Sequence, residues 1–263
     1  MTLFKYPRTQ HIHGSRFQKG DHDMDAVSWN ELSGKHLVIE EKIDGANSGI
    51  SFDENGTLQL QSRGHYLRGG PREKQFNILK QWATCHQASF FNVLGSRYVM
   101  YGEWMAAKHT VFYDALPHYF MEFDVLDTET KTFLDTPSRQ ALLAPLPVSS
   151  VRVIDDGIIA SLGHLADMVG TSAFITKDRI THLHEAADVA GVDHRDAESH
   201  TDVHTDMEGL YVKWEEQGVV KGRYKFVRAS FTNAILEQEE HWHDRPIIHN
   251  ALIEGAYDKM FSQ

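Results

Sequence analysis

The sequence predicts an α+β fold in which antiparallel sheets are flanked by helices. Three observations carry that prediction. Ser48-Gly49-Ile50-Ser51-Phe52 alternates small or polar with apolar residues, and Asp53-Glu54-Asn55-Gly56 supplies a hairpin turn before Thr57 to Ser62 returns. Phe76, Leu79, Trp82 and Ala83 recur at three- and four-residue spacing, which predicts helix within 72–97. Further strand-like runs follow at 98–104, 119–126, 209–214 and 218–228, the last two as a pair.

Composition narrows the class. The 263 residues suffice for one or two domains with a substantial core. A hydrophobic content of 41% and a charged content of 24% are ordinary for a soluble globular chain. No apolar run approaches the ~20 residues that span a bilayer, so no membrane partner is expected. Met1 to Arg8 lack a signal-peptide core. Cys85 is the single cysteine and cannot form an internal disulfide, so the expected location is cytoplasmic. Cys85 itself reads as a small buried hydrophobe in a helix. The formal net charge of -11 excludes a broadly basic surface but not a local phosphate-binding groove. Weak, salt-sensitive nucleic-acid binding, or help from a protein partner, is the expectation.

Along the chain, residues 1–36 are irregular. Lys5, Arg8, Arg16 and Lys19 make the segment locally basic before Asp21 to Asp25 reverse the sign. Most of it reads as solvated surface, with an arm touching a phosphate backbone as the functional alternative. Leu37-Val38-Ile39 is a short strand that delivers Lys42 to a strand end beside the turn pair Asp44-Gly45. Arg63 ends the return strand of the hairpin, which places it near Lys42. A loop with His109, Tyr113 and Pro117 joins the next two strands. Pro137 opens a helix over 137–147, 151–154 is a strand, and Ser161 caps a short helix that stops by Gly170. Residues 185–206 are polar and histidine-rich and read as a loop. Ser230 to Glu240 reads as a helix, and the tail from 242 as another, containing Ile248, Leu252 and Ile253. Among the 17 histidines, His182-x-His184 and His241-x-His243 lack a cysteine pair or an H-E-x-x-H companion and read as surface residues.

The motifs come in a fixed order. Glu41-Lys42-Ile43-Asp44-Gly45-Ala46-Asn47 is first. Ser62-Arg63-Gly64, Tyr101-Gly102-Glu103-Trp104 and the strand Phe120-Met121-Glu122-Phe123-Asp124-Val125 follow. Glu208-Gly209-Leu210-Tyr211-Val212-Lys213 and the basic cluster Lys221-Gly222-Arg223-Tyr224-Lys225 close the series. This order resembles the nucleotidyltransferase motifs of ATP-dependent polynucleotide ligases, over residues 37 to 228. Lys-Ile-Asp-Gly-Ala-Asn, with asparagine two residues past the glycine, looks most like RNA ligases of the T4 RNA ligase 2 type. The series departs in one place: the last motif is usually two lysines separated by one residue, and here it is Arg223-Tyr224-Lys225 flanked by Lys221 and Arg228.

The resemblance implies a nucleotidyltransferase core of the ATP-grasp-like ligase kind over 1–228, including the N-terminal arm, with 229–263 as a short helical appendage. Thirty-five residues beyond Arg228 are too few for a C-terminal OB domain. It implies ATP and Mg²⁺ or Mn²⁺ as cofactors and RNA with 5′-phosphate and 3′-hydroxyl ends as partner. Lys42 is then the nucleophile that takes AMP. Asp44 and Asn47 shape the site for the RNA 3′ end, and Glu41 reads the adenine amine. Arg63 contacts the nucleotide phosphate or ribose, Glu103 the ribose hydroxyls or a metal, and Phe123 stacks on adenine. Glu208 reaches the divalent metal. Lys213 and Lys225 grip the α-phosphate. A nucleophilic lysine must be neutral, and Lys213, Lys225 and the metal are expected to depress the pKa of Lys42. The alternatives are a GTP-using or otherwise diverged nucleotidyltransferase, and a non-catalytic module that binds nucleic-acid ends.

Overall fold

Asp53 shows how the first hairpin closes. Its carboxylate accepts the backbone N–H groups of Asn55 (3.0 Å) and Thr57 (2.8 Å), and Gly56 takes the positive φ that the turn needs. The computed structural model describes residues 3–17, 25–231 and 246–262. Its elements are β1 (Gln10–His11), α1 (Trp29–Leu32), β2 (Leu37–Lys42), β3 (Ala46–Phe52), β4 (Leu58–Ser62), a 3₁₀ turn (Pro71–Phe76), α2 (Asn77–Cys85), α3 (Gln87–Leu94), β5 (Tyr98–Trp104) and β6 (Phe120–Asp127). There follow β7 (Thr132–Leu134), α4 (Thr136–Leu143), β8 (Ser149–Ser150), β9 (Val153–Gly157), α5 (Leu162–Asp167), α6 (Arg179–Ala190), α7 (His194–Ser199), β10 (Gly209–Glu216), β11 (Val219–Val227) and α8 (Ala256–Phe261).

The strands run β4-β3-β5-β6-β7-β11-β10-β2-β9, antiparallel between neighbours, with β1 added to β11 and β8 to β6 as parallel pairs. The fold is the expected α+β arrangement. One half of the sheet, β3 to β6, packs on α2 and α3 through Leu79, Trp82, Phe90 and Leu94. The other half, β2-β10-β11, is two-faced by period-two alternation. Leu37, Ile39, Leu210, Val212 and Phe226 face a second apolar cluster with Ile12, Leu32 and Leu165. Lys42, Glu40, Tyr211, Lys213, Arg223 and Lys225 fall on the opposite face by the register of the ladders.

Short helices follow their caps. Ser161 Oγ accepts the N–H of His164 (3.0 Å) at the start of α5, and Asp135 does the same for Ser138 at α4, where Pro137 occupies the first turn. The helical stretch 72–97 is broken at His86 into α2 and α3.

Four sequence expectations are corrected. The stretch expected as a loop, 185–206, instead holds the end of α6 and the whole of α7. Their buried apolar residues are Leu183, Ala187 and Ala197, with the small Ala186 and Ala190 packed beside them, too slight a stripe to register against the polar background, and Phe112 and Ile248 from distant segments complete it. The N-terminal segment is not mainly solvated: Tyr6, His11, Ile12 and Ser15 are buried, and β1 pairs with β11. In the tail, Ile248 to Ile253 bridges Ala107 at His249 and Leu116 at Leu252, and among the described residues only Ala256–Phe261 is helical. Cys85 is exposed on α2. The helix expected at 230–240 and the pair His241 and His243 lie outside the described residues, apart from Ser230 and Phe231. Among the described residues no helix is long and apolar enough to cross a membrane.

Candidate active site

Lys42 ends β2 opposite Gly209 of β10, so the residue before that glycine, Glu208, is brought to its side chain. Lys42 Nζ donates to Glu208 Oε2 at 2.6 Å. Gly209 also packs tightly on the strand at its other side: a Cβ there would run into the Phe226 carbonyl and the backbone at Val227 of β11. Gly45 is crowded in the same way, with a built Cβ 2.5 Å from Met105 Sδ and 3.1 Å from the Trp104 carbonyl. The two glycines let β10 close on β11 and the lysine turn close on the end of β5.

Lys42 borders a cavity of about 350 Å³, within the range of small-ligand sites. Both halves of the sheet contribute. Lys42, Glu40 and Glu41 come from β2, Asn47 from β3, Glu103 from β5, Phe123 from β6, Tyr211 from β10 and Lys225 from β11. Arg63 follows β4, and Tyr6, Arg8 and Thr9 come from the N-terminal segment. Two acceptors in this lining, Asn47 Oδ1 and Glu103 Oε2, are buried without a hydrogen-bond partner among the described residues. Buried polar atoms are normally satisfied, so these two suit a ligand that brings donors. The family model for RNA ligase matches residues 35–227, and that span holds Lys42 and every strand around the cavity.

The chain belongs to the RNA ligase family.

Solved RNA ligases share its fold. A Naegleria gruberi RNA ligase mutant solved with ATP and Mn superposes with a TM-score of 0.50 at 18% identity, covering 79% of this chain and 52% of that one. The same organism's RNA ligase with PPi gives 0.50 at 18% identity, covering 80% and 53%. An archaeal ATP-dependent RNA ligase gives 0.53 at 18% identity, covering 86% and 48%. This RNA ligase-family chain thus spans about half the length of the solved proteins it matches. Comparison with curated proteins gives no match.

The electrostatics of this RNA ligase-family site differ from the sequence expectation. Burial pulls the pKa of Lys42 down, but Glu208, Glu103 and Asp44 outweigh it and hold the ammonium above its usual range. Of the two lysines expected to depress it, Lys225 lines the same cavity and Lys213 does not. Lys213 lies behind the cavity, fully buried, with Nζ 2.9 Å from Glu40 Oε2, 3.1 Å from Asp124 Oδ1 and bonded to the Phe123 carbonyl. Glu40 and Glu122 are clamped in turn by Arg139 at 2.6 and 2.9 Å. Burial pushes the Glu103 carboxyl up to about 7 against the pull of Lys42 and Arg63. Burial likewise raises Glu208, opposed by Lys42.

The other expected residues fall as follows. Asp44 Oδ2 accepts the N–H groups of Thr110 (2.7 Å) and Val111 (3.0 Å), which ties the 105–118 loop to the lysine turn. Glu41 borders the cavity, but its carboxylate is engaged by Ser172 Oγ (2.5 Å) and the Ala173 N–H (3.2 Å). Phe123 is both wall and core: it lines the cavity and meets Tyr6 edge-on at 5.1 Å. Asp44, Glu208 and Lys213 are outside the lining, although Glu208 touches Lys42.

Tyr6, Tyr211 and Asp124 also meet at this site, although no motif assigns them a role. Tyr6 donates to Asp124 Oδ2 at 2.5 Å, and its hydroxyl meets that of Tyr211. Tyr211 was legible by alternation, standing two residues before Lys213 on the same face. Tyr6 carried no periodic signal.

Proposed function

We propose that this chain is an ATP-dependent RNA ligase that carries AMP on Lys42. The observation that carries it is Lys42 at the rim of a cavity whose lining joins Arg63, Glu103, Phe123 and Lys225 around one amine. The amine attacks the α-phosphorus of ATP, an N–P bond forms, and pyrophosphate leaves. An RNA 5′-phosphate oxygen then takes the AMP from Lys42, and the N–P bond breaks. A 3′-hydroxyl attacks that activated phosphate, giving a phosphodiester and free AMP.

The chain's residues suit these steps. Phe123 offers an aromatic wall for adenine. Glu103 and Asn47 offer unpartnered acceptors for ribose hydroxyls. Arg63 and Lys225 supply positive charge where phosphoryl oxygens gather it. Glu208 and Glu103 are hard oxygen donors of the kind that hold Mg²⁺ or Mn²⁺, with water and phosphate completing the set. A cation bound there would neutralise phosphate charge and compete with Lys42 for Glu208. The cluster Glu40, Arg139, Glu122, Lys213 and Asp124 is fully buried and braces the cavity wall; its Lys213 holds Phe123 by the carbonyl.

The test is mass spectrometry of the intact protein after incubation with ATP and Mg²⁺, with the adduct mapped by peptide. One AMP on Lys42 is expected, discharged by RNA carrying a 5′-phosphate. An adduct elsewhere, or with GTP only, overturns the assignment.

A further inference from the structure

We infer that residues 63–74, which leave the cavity rim and run into the 3₁₀ turn, are a docking surface for the phosphate backbone of an unpaired RNA strand. The inference rests on the ligase proposal for the identity of the strand and deepens it by placing the strand's path.

Charge is the first observation. Residues 63–80 hold Arg63, Arg68, Arg72, Lys74 and Lys80 against one acid, Glu73, in a chain whose net charge is -11. Glu73 does not reach the surface. It is buried and its carboxylate accepts the N–H groups of Arg68 (3.1 Å) and Gly69 (2.8 Å) and pairs with Lys80 at 2.5 Å. Arg63, His65, Arg68 and Lys74 are exposed, and among the described residues Arg63, Arg68 and Lys74 form no ion pair. Cations without acidic partners, in a chain of net negative charge, suit a polyanion.

Shape is the second. The segment is fixed: Leu67 N–H donates to Leu60 O at 2.8 Å, Ser62 N–H to His65 O at 2.9 Å, and Trp104 Nε1 to Gln75 O at 2.7 Å. Gly69 and Gly70 take φ of +106° and +124°, and no atom lies within 4 Å of where their Cβ would be. The backbone is therefore open to close approach there. The Arg68 guanidinium lies 5.2 Å from the centre of the Tyr66 ring, a planar pair of the sort that stacks on unpaired bases. Arg63 belongs to both the segment and the cavity lining, so the surface leads directly to the reacting centre.

The test uses fluorescence anisotropy with a labelled, 5′-phosphorylated single-stranded RNA of about twenty nucleotides, on the full chain. The double variant R68E/K74E is compared with a remote double reversal, K177E/K259E, which makes the same change in net charge. R68E/K74E is expected to weaken binding by at least about tenfold and to lower the salt slope by about 1.4, two single-strand phosphate contacts. K177E/K259E is expected to bind like wild type. Equal losses in the two variants, or none in R68E/K74E, overturn the inference. So does loss of Lys42 adenylylation in a folded R68E/K74E protein, which would assign the segment to the ATP tail. A wild-type chain that takes no AMP but binds RNA through this segment would sink the ligase proposal and leave the surface standing.

Discussion

Lys42 and Glu208 are 166 residues apart in sequence and 2.6 Å apart in space, because β2 and β10 pair with Lys42 opposite Gly209. The pair is uneven: the lysine side chain is 22% exposed and the glutamate 1%. A half-open amine is held charged by a buried carboxylate. Several outcomes follow from that contact and its neighbours.

Removing the lysine leaves the acid alone. Lys42→Ala is expected to lose all AMP adduct and also about 2 kcal/mol of stability at pH 8, less than for a fully buried pair because Lys42 is partly solvated. The lone Glu208 would sit above its ordinary pKa, so the loss shrinks as pH falls and it protonates. Thermal melts at pH 5 and pH 8 check this; an equal loss at both would show that the pair contributes nothing.

Removing the acid frees the lysine. Glu208 raises the Lys42 pKa, so Glu208→Gln lowers it, and the neutral amine becomes available at lower pH. The alkaline rise in adenylylation rate is expected to move toward lower pH, even as the maximum rate falls. Single-turnover rates from pH 6 to 10 decide it, and an unmoved profile counts against the contact as the control on the amine.

Glu103 is raised by burial to about 7. A raised carboxyl stabilises the fold below its unfolded pKa of about 4.3, and that contribution is lost as pH climbs through 7. Glu103→Gln is expected to gain on the order of 1–2 kcal/mol over wild type between pH 5 and 8 in the ligand-free protein. Urea melts across that range measure it. A constant difference would place Glu103 in solvent-like surroundings.

Lys213 neutralises two buried acids, Glu40 and Asp124. Lys213→Met is expected to cost about 3 kcal/mol or more, because it strands those charges. A stable Lys213→Met protein that binds ATP normally but transfers no AMP would instead argue for a direct part in chemistry.

Asn250 reaches across the loop that Asp44 anchors. Its Oδ1 accepts the Tyr113 N–H at 2.9 Å, and its Nδ2 donates to the Met105 carbonyl at 2.7 Å. Asn250→Ala is expected to cost about 1–3 kcal/mol and to slow adenylylation through the displaced loop. Melting temperature and rate are read together, and an unchanged rate would detach the loop from the lysine turn.

By itself the sequence determined the fold class and the order of the cavity's parts. Period-two alternation marks strands locally, and motifs such as Lys42-x-Asp44-Gly45 and Glu208-Gly209 are contiguous, so both can be read from neighbours alone. Which groups meet was decided by tertiary structure. Lys42 has an acid rather than cations beside it, and Lys213 faces buried carboxylates rather than the cavity, because strand register fixes contacts between residues far apart in sequence. Helices α6 and α7 and the burial of Tyr6 were hidden for the same reason. Their apolar partners lie on distant segments, and no local pattern records a partner that only folding supplies.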